Sequence, residues 1–124
     1  MRKRFAAAAI TASIFFSTVL LLTDPELWTV APFHAYVLIG LTGLDVLMLT
    51  ASLRGSILVA RIGVLYGLGK LALFLGDIFT APEFGTTYWE FASYLFSLWA
   101  YDGLLASQIG IVAGSYLDRR QQRW

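Results

Sequence analysis

FHAYVLIGLTGLDVLMLTASL, residues 33–53, carries a single formal charge, Asp45, in an otherwise apolar run. As a helix rising about 1.5 Å per residue, the stretch is long enough to cross a hydrocarbon layer about 30 Å thick. Phe5 to Leu22, Ile57 to Phe79 and Phe91 to Leu117 are runs of the same kind. What remains between them is too short for a soluble domain. The expected fold is all-α and integral to a membrane, with four transmembrane helices forming one membrane domain over residues 1–124.

The run around Asp45 also has a counterpart later in the chain. At a gapless offset of 57 residues, Arg4 falls on Arg61, Thr23-x-Pro25-Glu26 on Thr80-x-Pro82-Glu83, Thr29 on Thr86 and Asp45 on Asp102. Ala35, Leu38, Leu41 and Leu47 also land on identical residues. Apolar identities are cheap in a chain that is 58% hydrophobic, but two aspartates deep in apolar runs are not. The pattern predicts two copies of a helical hairpin, residues 4–56 and 61–117, that run the same way through the bilayer. Together they would form a four-helix bundle with a pseudo-two-fold axis along the membrane normal.

Charge placement orients this bundle. Arg2, Lys3 and Arg4 precede the first run, Arg54 and Arg61 bracket the middle connection, and Arg119, Arg120 and Arg123 follow the last. The other two connections hold Asp24, Glu26, Glu83 and Glu90 with no Lys or Arg. By the positive-inside rule both termini and the middle turn are cytoplasmic, in a multi-pass protein of the cell membrane. The basic N-terminus followed by an apolar run has the outline of a signal peptide, but no small-x-small cleavage site stands near Thr23, so it reads as a retained first helix.

Counted inward from the outer ends of their runs, Asp45 and Asp102 lie roughly 16 Å deep and Lys70 roughly 13 Å deep. Ionisable groups at that depth face the bundle interior and pair. The expected arrangement is one ionic cluster, with Lys70 between the Asp45 and Asp102 carboxylates and Asp77 two turns outward on the same face. Tyr66, Tyr101, Thr42, Thr50, Ser97 and Ser107 are candidates for the remaining hydrogen bonds. Such a cluster serves as a clasp that fixes helix pairing or as a proton or cation relay; near-neutrality favours the clasp.

In the outer connections, Thr23 with Glu26 and Thr80 with Glu83 have capping-box spacing and predict short helical turns at the membrane surface, beside Trp28, Tyr88 and Trp89. His34, the only histidine, is expected at that level as an interfacial residue bonded to loop backbone. Gly63-x-x-x-Gly67 predicts a close helix–helix contact. The absence of cysteine excludes thiolate metal sites and cysteine nucleophiles. The lack of asparagine as well is one mark of thermophile proteins.

No nucleophile–base pair, phosphate loop, metal cluster or cofactor motif is legible, so neither catalysis nor a cofactor is expected of the isolated chain. The expected partners are the lipid bilayer and other membrane subunits or copies of the chain itself, with no nucleic acid. The expected role is a small polytopic subunit stabilising a larger membrane complex or homo-oligomer. The alternative is a small proton- or cation-coupled transporter or channel using Asp45, Lys70 and Asp102.

Overall fold

The computed structural model describes residues 4–121, so Arg2, Lys3, Arg123 and Trp124 of the charge analysis lie outside the described residues. All regular structure in the described residues is helical. α1 (Phe5–Thr23), α3 (Pro32–Leu53) and α4 (Leu58–Gly76), the last prolonged by a 3₁₀ segment (Asp77–Phe84), are each long and apolar enough to cross a membrane. α2 (Pro25–Thr29) is a short turn between α1 and α3. α5 (Tyr88–Ser97) and α6 (Trp99–Gln121) meet at a bend of 87° and count as a fourth span only when taken together. These helices mark the chain as membrane-embedded.

Local chemistry explains the boundaries. Pro25 and Pro32 open α2 and α3 at the first turn, where a missing N–H removes no helical bond. α3 closes in a Schellman arrangement around Gly55 (φ 87°), in which the Ser56 N–H donates to the Ala51 carbonyl at 3.0 Å. Gly85 (φ 71°) ends the 3₁₀ segment in the same way, with the Thr86 N–H on the Ala81 carbonyl.

The capping boxes are not where the spacing puts them. Thr23 is still inside α1 and donates its hydroxyl to the Val19 carbonyl at 2.7 Å, while Thr80 donates to the Asp77 carbonyl at 2.6 Å. A threonine still within a helix bonds the carbonyl about one turn back and is no longer available as a cap. The cap that forms belongs to α5. Thr87 Oγ1 accepts from the Glu90 N–H at 3.1 Å, and the Thr86 hydroxyl donates to the Glu90 carboxylate at 3.1 Å. Short helical segments do occupy these connections, as α2 and the 3₁₀ segment.

α6 is the central helix, and small residues on two of its faces make that possible. Gly103 lies against Phe16, Gly110 against Ala9, and Gly114 against the backbone of Phe5 and Ala6. On the other side, Gly63 and Gly67 of α4 meet Ser115, Val112 and the Gln108 carbonyl; a Cβ at Gly63 would come within 1.8 Å of Ser115 Oγ. The Gly63-x-x-x-Gly67 pattern therefore does mark a close helix contact, with α6 as its partner. α3 packs chiefly on α1 and touches α4 less, although a short turn joins α3 to α4.

The two segments matched by the repeat do not follow the same course. α3 is continuous, whereas the matching stretch breaks at Leu98, whose backbone is extended (ψ 112°). The Leu98 carbonyl accepts from the Tyr101 and Asp102 N–H groups and so starts α6 afresh. Neither glycine nor proline stands at the break. Aromatic packing surrounds it, with Phe96 edge-on to Tyr101 at 5.8 Å and Phe16 edge-on to Trp99 at 6.1 Å.

The buried interior is layered along the helices. Leu20, Leu38, Phe74, Tyr101 and Leu104 belong to one apolar core. Ala6, Ile10, Met48, Val59 and Ile111 form a second. Between these two cores, α1, α3, α4 and α6 each place a buried polar side chain: Ser13, Asp45, Lys70 and Gln108.

Candidate functional site

Four helices supply that polar layer. Lys70 on α4 places its Nζ 2.6 Å from Asp45 Oδ1 and 2.7 Å from Oδ2, so the carboxylate of α3 is gripped by both oxygens. Their side chains are 3% and 1% exposed. At this depth only a paired, fully hydrogen-bonded charge is tolerable. The remaining positions are filled. Tyr66 Oη donates to Asp45 Oδ1, and Ser13 Oγ of α1 donates to Oδ2 at 2.7 Å. Ser13 Oγ also accepts from Lys70 Nζ at 3.1 Å and from Gln108 Nε2 of α6 at 3.0 Å. The Lys70 ammonium further lies 5.2 Å from the Tyr66 ring centre and 5.9 Å from that of Phe74.

Of the predicted cluster, the structure brings together Asp45 and Lys70, with Tyr66 as one of the anticipated donors. Asp102 does not join them. Because the helix restarts after Leu98, Asp102 falls in the first turn of α6 and is exposed. A carboxylate in that position is stabilised by the positive end of the helix dipole. The depth count failed by assuming one unbroken helix from Phe91. Asp77 is not in the layer either. It opens the 3₁₀ segment two turns above Lys70, with Oδ1 3.6 Å from His34 Nδ1. His34 thus meets a side chain, not loop backbone, and packs edge-on to Phe84 at 5.6 Å. Glu26 and Glu83 are exposed on α2 and the 3₁₀ segment.

Sequence reasoning passed over Ser13 and Gln108 as members of the layer. One signal was available for Ser13: it is the residue opposite Lys70 in the 57-residue alignment, and the two side chains are hydrogen-bonded. Gln108 carried one as well, being the only side-chain amide within the four apolar runs. A second tie was also unforeseen. The Asp118 carboxylate of α6 accepts from the Phe5 and Ala6 N–H groups at 3.0 and 3.1 Å, capping the start of α1 from the far end of the chain.

At the opposite end, which carries Asp24, Glu26, Asp77 and Glu90, lies a cavity of about 430 Å³. Leu20, Leu38, Phe74, Tyr101 and Leu104 contribute to its lining, and α5 covers one side. Neither Asp45 nor Lys70 lines it. Among the described residues, no group of three or more His, Cys, Asp or Glu side chains is arranged to hold a metal ion.

No family model, curated protein or solved structure matches the chain.

Proposed function

We propose that the protein is a small polytopic membrane subunit, a four-helix bundle with both termini cytoplasmic, that packs into a larger membrane assembly or against copies of itself. On this reading the Asp45–Lys70 pair is a structural clasp. The observation that carries it is saturation of the pair: both carboxylate oxygens and the ammonium are spent on each other, Tyr66 and Ser13, between two apolar cores. A relay needs a group free to take up an ion and a wet path to it. Phe74, Leu38 and Leu104 stand on one side of the layer and Ile10, Met48 and Ile111 on the other, all buried.

The assembly role rests on surface that the chain leaves uncovered. Phe33, Tyr36, Leu44, Leu47 and Leu53 expose large apolar side chains along α3. α5 has no buried residue. In lipid such faces associate by close packing more than by the hydrophobic effect.

Flux across reconstituted vesicles tests the clasp. Wild type and the neutral pair Asp45→Asn, Lys70→Met should show the same background permeability to protons and potassium. Flux through the wild type that the neutral pair abolishes would establish the relay instead.

A further inference from the structure

We propose that the cavity at the acidic end is a binding site for an amphiphilic organic monocation, such as a hydrophobic amine or quaternary ammonium or phosphonium ion. The inference is independent of the clasp, because the cavity and the charged layer share no charged residue. Three observations converge on it.

The cavity, at about 430 Å³, falls within the roughly 300–1,000 Å³ typical of small-molecule sites. Its deeper wall is apolar, formed by Leu20, Leu38, Leu41, Phe74 and Leu104. This wall accommodates a hydrophobic body and offers no partner to a hydrophilic one.

The formal charge on the lining is of one sign. Asp24, Glu26, Asp77 and Glu90 all contribute, and no Lys or Arg does. The one basic side chain there, His34, is 3.6 Å from Asp77 and leaves the other carboxylates uncompensated. The nearest buried cation, Lys70, is spent on Asp45 at 2.6 Å beneath Phe74. An anion would be repelled by this lining, whereas a cation gains from a field concentrated between low-dielectric walls.

Aromatic rings face the same space. Phe33, Phe84, Phe91 and Tyr94 line it, with Phe84 and Phe91 stacked at 5.7 Å. Ring faces beside carboxylates are the chemistry that recognises an organic cation, above all one with no N–H to hydrogen-bond. Tyr94 links the two features, since its hydroxyl donates to Asp24 Oδ1 at 2.9 Å. Glu26 and Glu90, both exposed, stand at the rim, where their negative charge acts on a cation whose apolar groups reach the leucines.

The test uses tetraphenylphosphonium and tetraphenylborate, ions of matching shape and opposite charge, titrated into the full-length protein in detergent by calorimetry. Saturable binding of the phosphonium, tighter than that of the borate, is expected. The double variant Glu26→Gln, Glu90→Gln changes two exposed side chains and should weaken phosphonium binding by roughly tenfold, the factor equivalent to 1.4 kcal/mol of lost attraction. Val37→Trp, which fills the cavity from its edge, should weaken both ions together. Circular dichroism matching the wild type would show that each variant is folded. Equal affinity for the two ions, non-saturable uptake, or unchanged phosphonium binding in the double variant would overturn the proposal.

Discussion

Replacing Lys70 by methionine removes the cation and leaves an unbranched side chain one atom shorter. Lys70 supplies the bonds of 2.6 and 2.7 Å to Asp45, while Tyr66 and Ser13 supply the others. Breaking a buried pair from one side costs about 3–5 kcal/mol, because a charge is stranded in a dry interior. The two surviving donors keep the carboxylate hydrogen-bonded, and bonds to charged groups contribute about 1.5–3 kcal/mol each. The expected loss is therefore held to about 2–4 kcal/mol. Adding Asp45→Asn leaves a neutral amide among hydroxyls and should recover at least half of it. Asp102→Asn is the control; exposed in the first turn of α6, it should change stability by less than about 1 kcal/mol. Reversible unfolding in mixed micelles, followed by circular dichroism, of the wild type, the two single variants Lys70→Met and Asp45→Asn, and their combination closes a double-mutant cycle, with Asp102→Asn beside it as the control. A Lys70→Met variant as stable as the wild type would refute the reasoning. So would a double variant no more stable than the single.

Gly63→Val should push α4 away from α6, because even a Cβ there meets Ser115 Oγ at 1.8 Å. A loss of about 1–3 kcal/mol in the same unfolding assay is expected, partly restored by Ser115→Gly. Asp118→Ala should free the first N–H groups of α1, costing about 1 kcal/mol and raising hydrogen exchange at Phe5 and Ala6. Single cysteines at Thr29 and Thr86 should react with a membrane-impermeant label from outside the cell. A cysteine at Ser56 should not, and the reverse pattern would invert the proposed orientation.

Much of this architecture was legible because lipid leaves a chain few options. The runs Phe5 to Leu22 and Phe33 to Leu53 became α1 and α3 to within a residue at each end. The third run was read as ending at Phe79, and the chain does turn from α-helix to 3₁₀ near there. Asp45 and Lys70 could be matched by depth because charges are rare at that level. Asp102 could not be placed, since the break at Leu98 has no glycine or proline to announce it and is surrounded by contacts among aromatic rings distant in sequence. The capping motifs misled for a related reason. Thr-x-x-Glu spacing does not reveal whether the threonine has already left the preceding helix, and neither Thr23 nor Thr80 has. The Asp118 cap joins residues more than a hundred positions apart, beyond the reach of any local pattern.

The central claim is that this chain works as part of an assembly. Native mass spectrometry of the protein released from its own membranes in mild detergent tests it most directly. The account predicts a complex heavier than the 13.7 kDa chain, of one composition whether the chain is wild type or carries Asp45→Asn with Lys70→Met. A bare 13.7 kDa species, released under conditions that keep other membrane complexes intact, would contradict it.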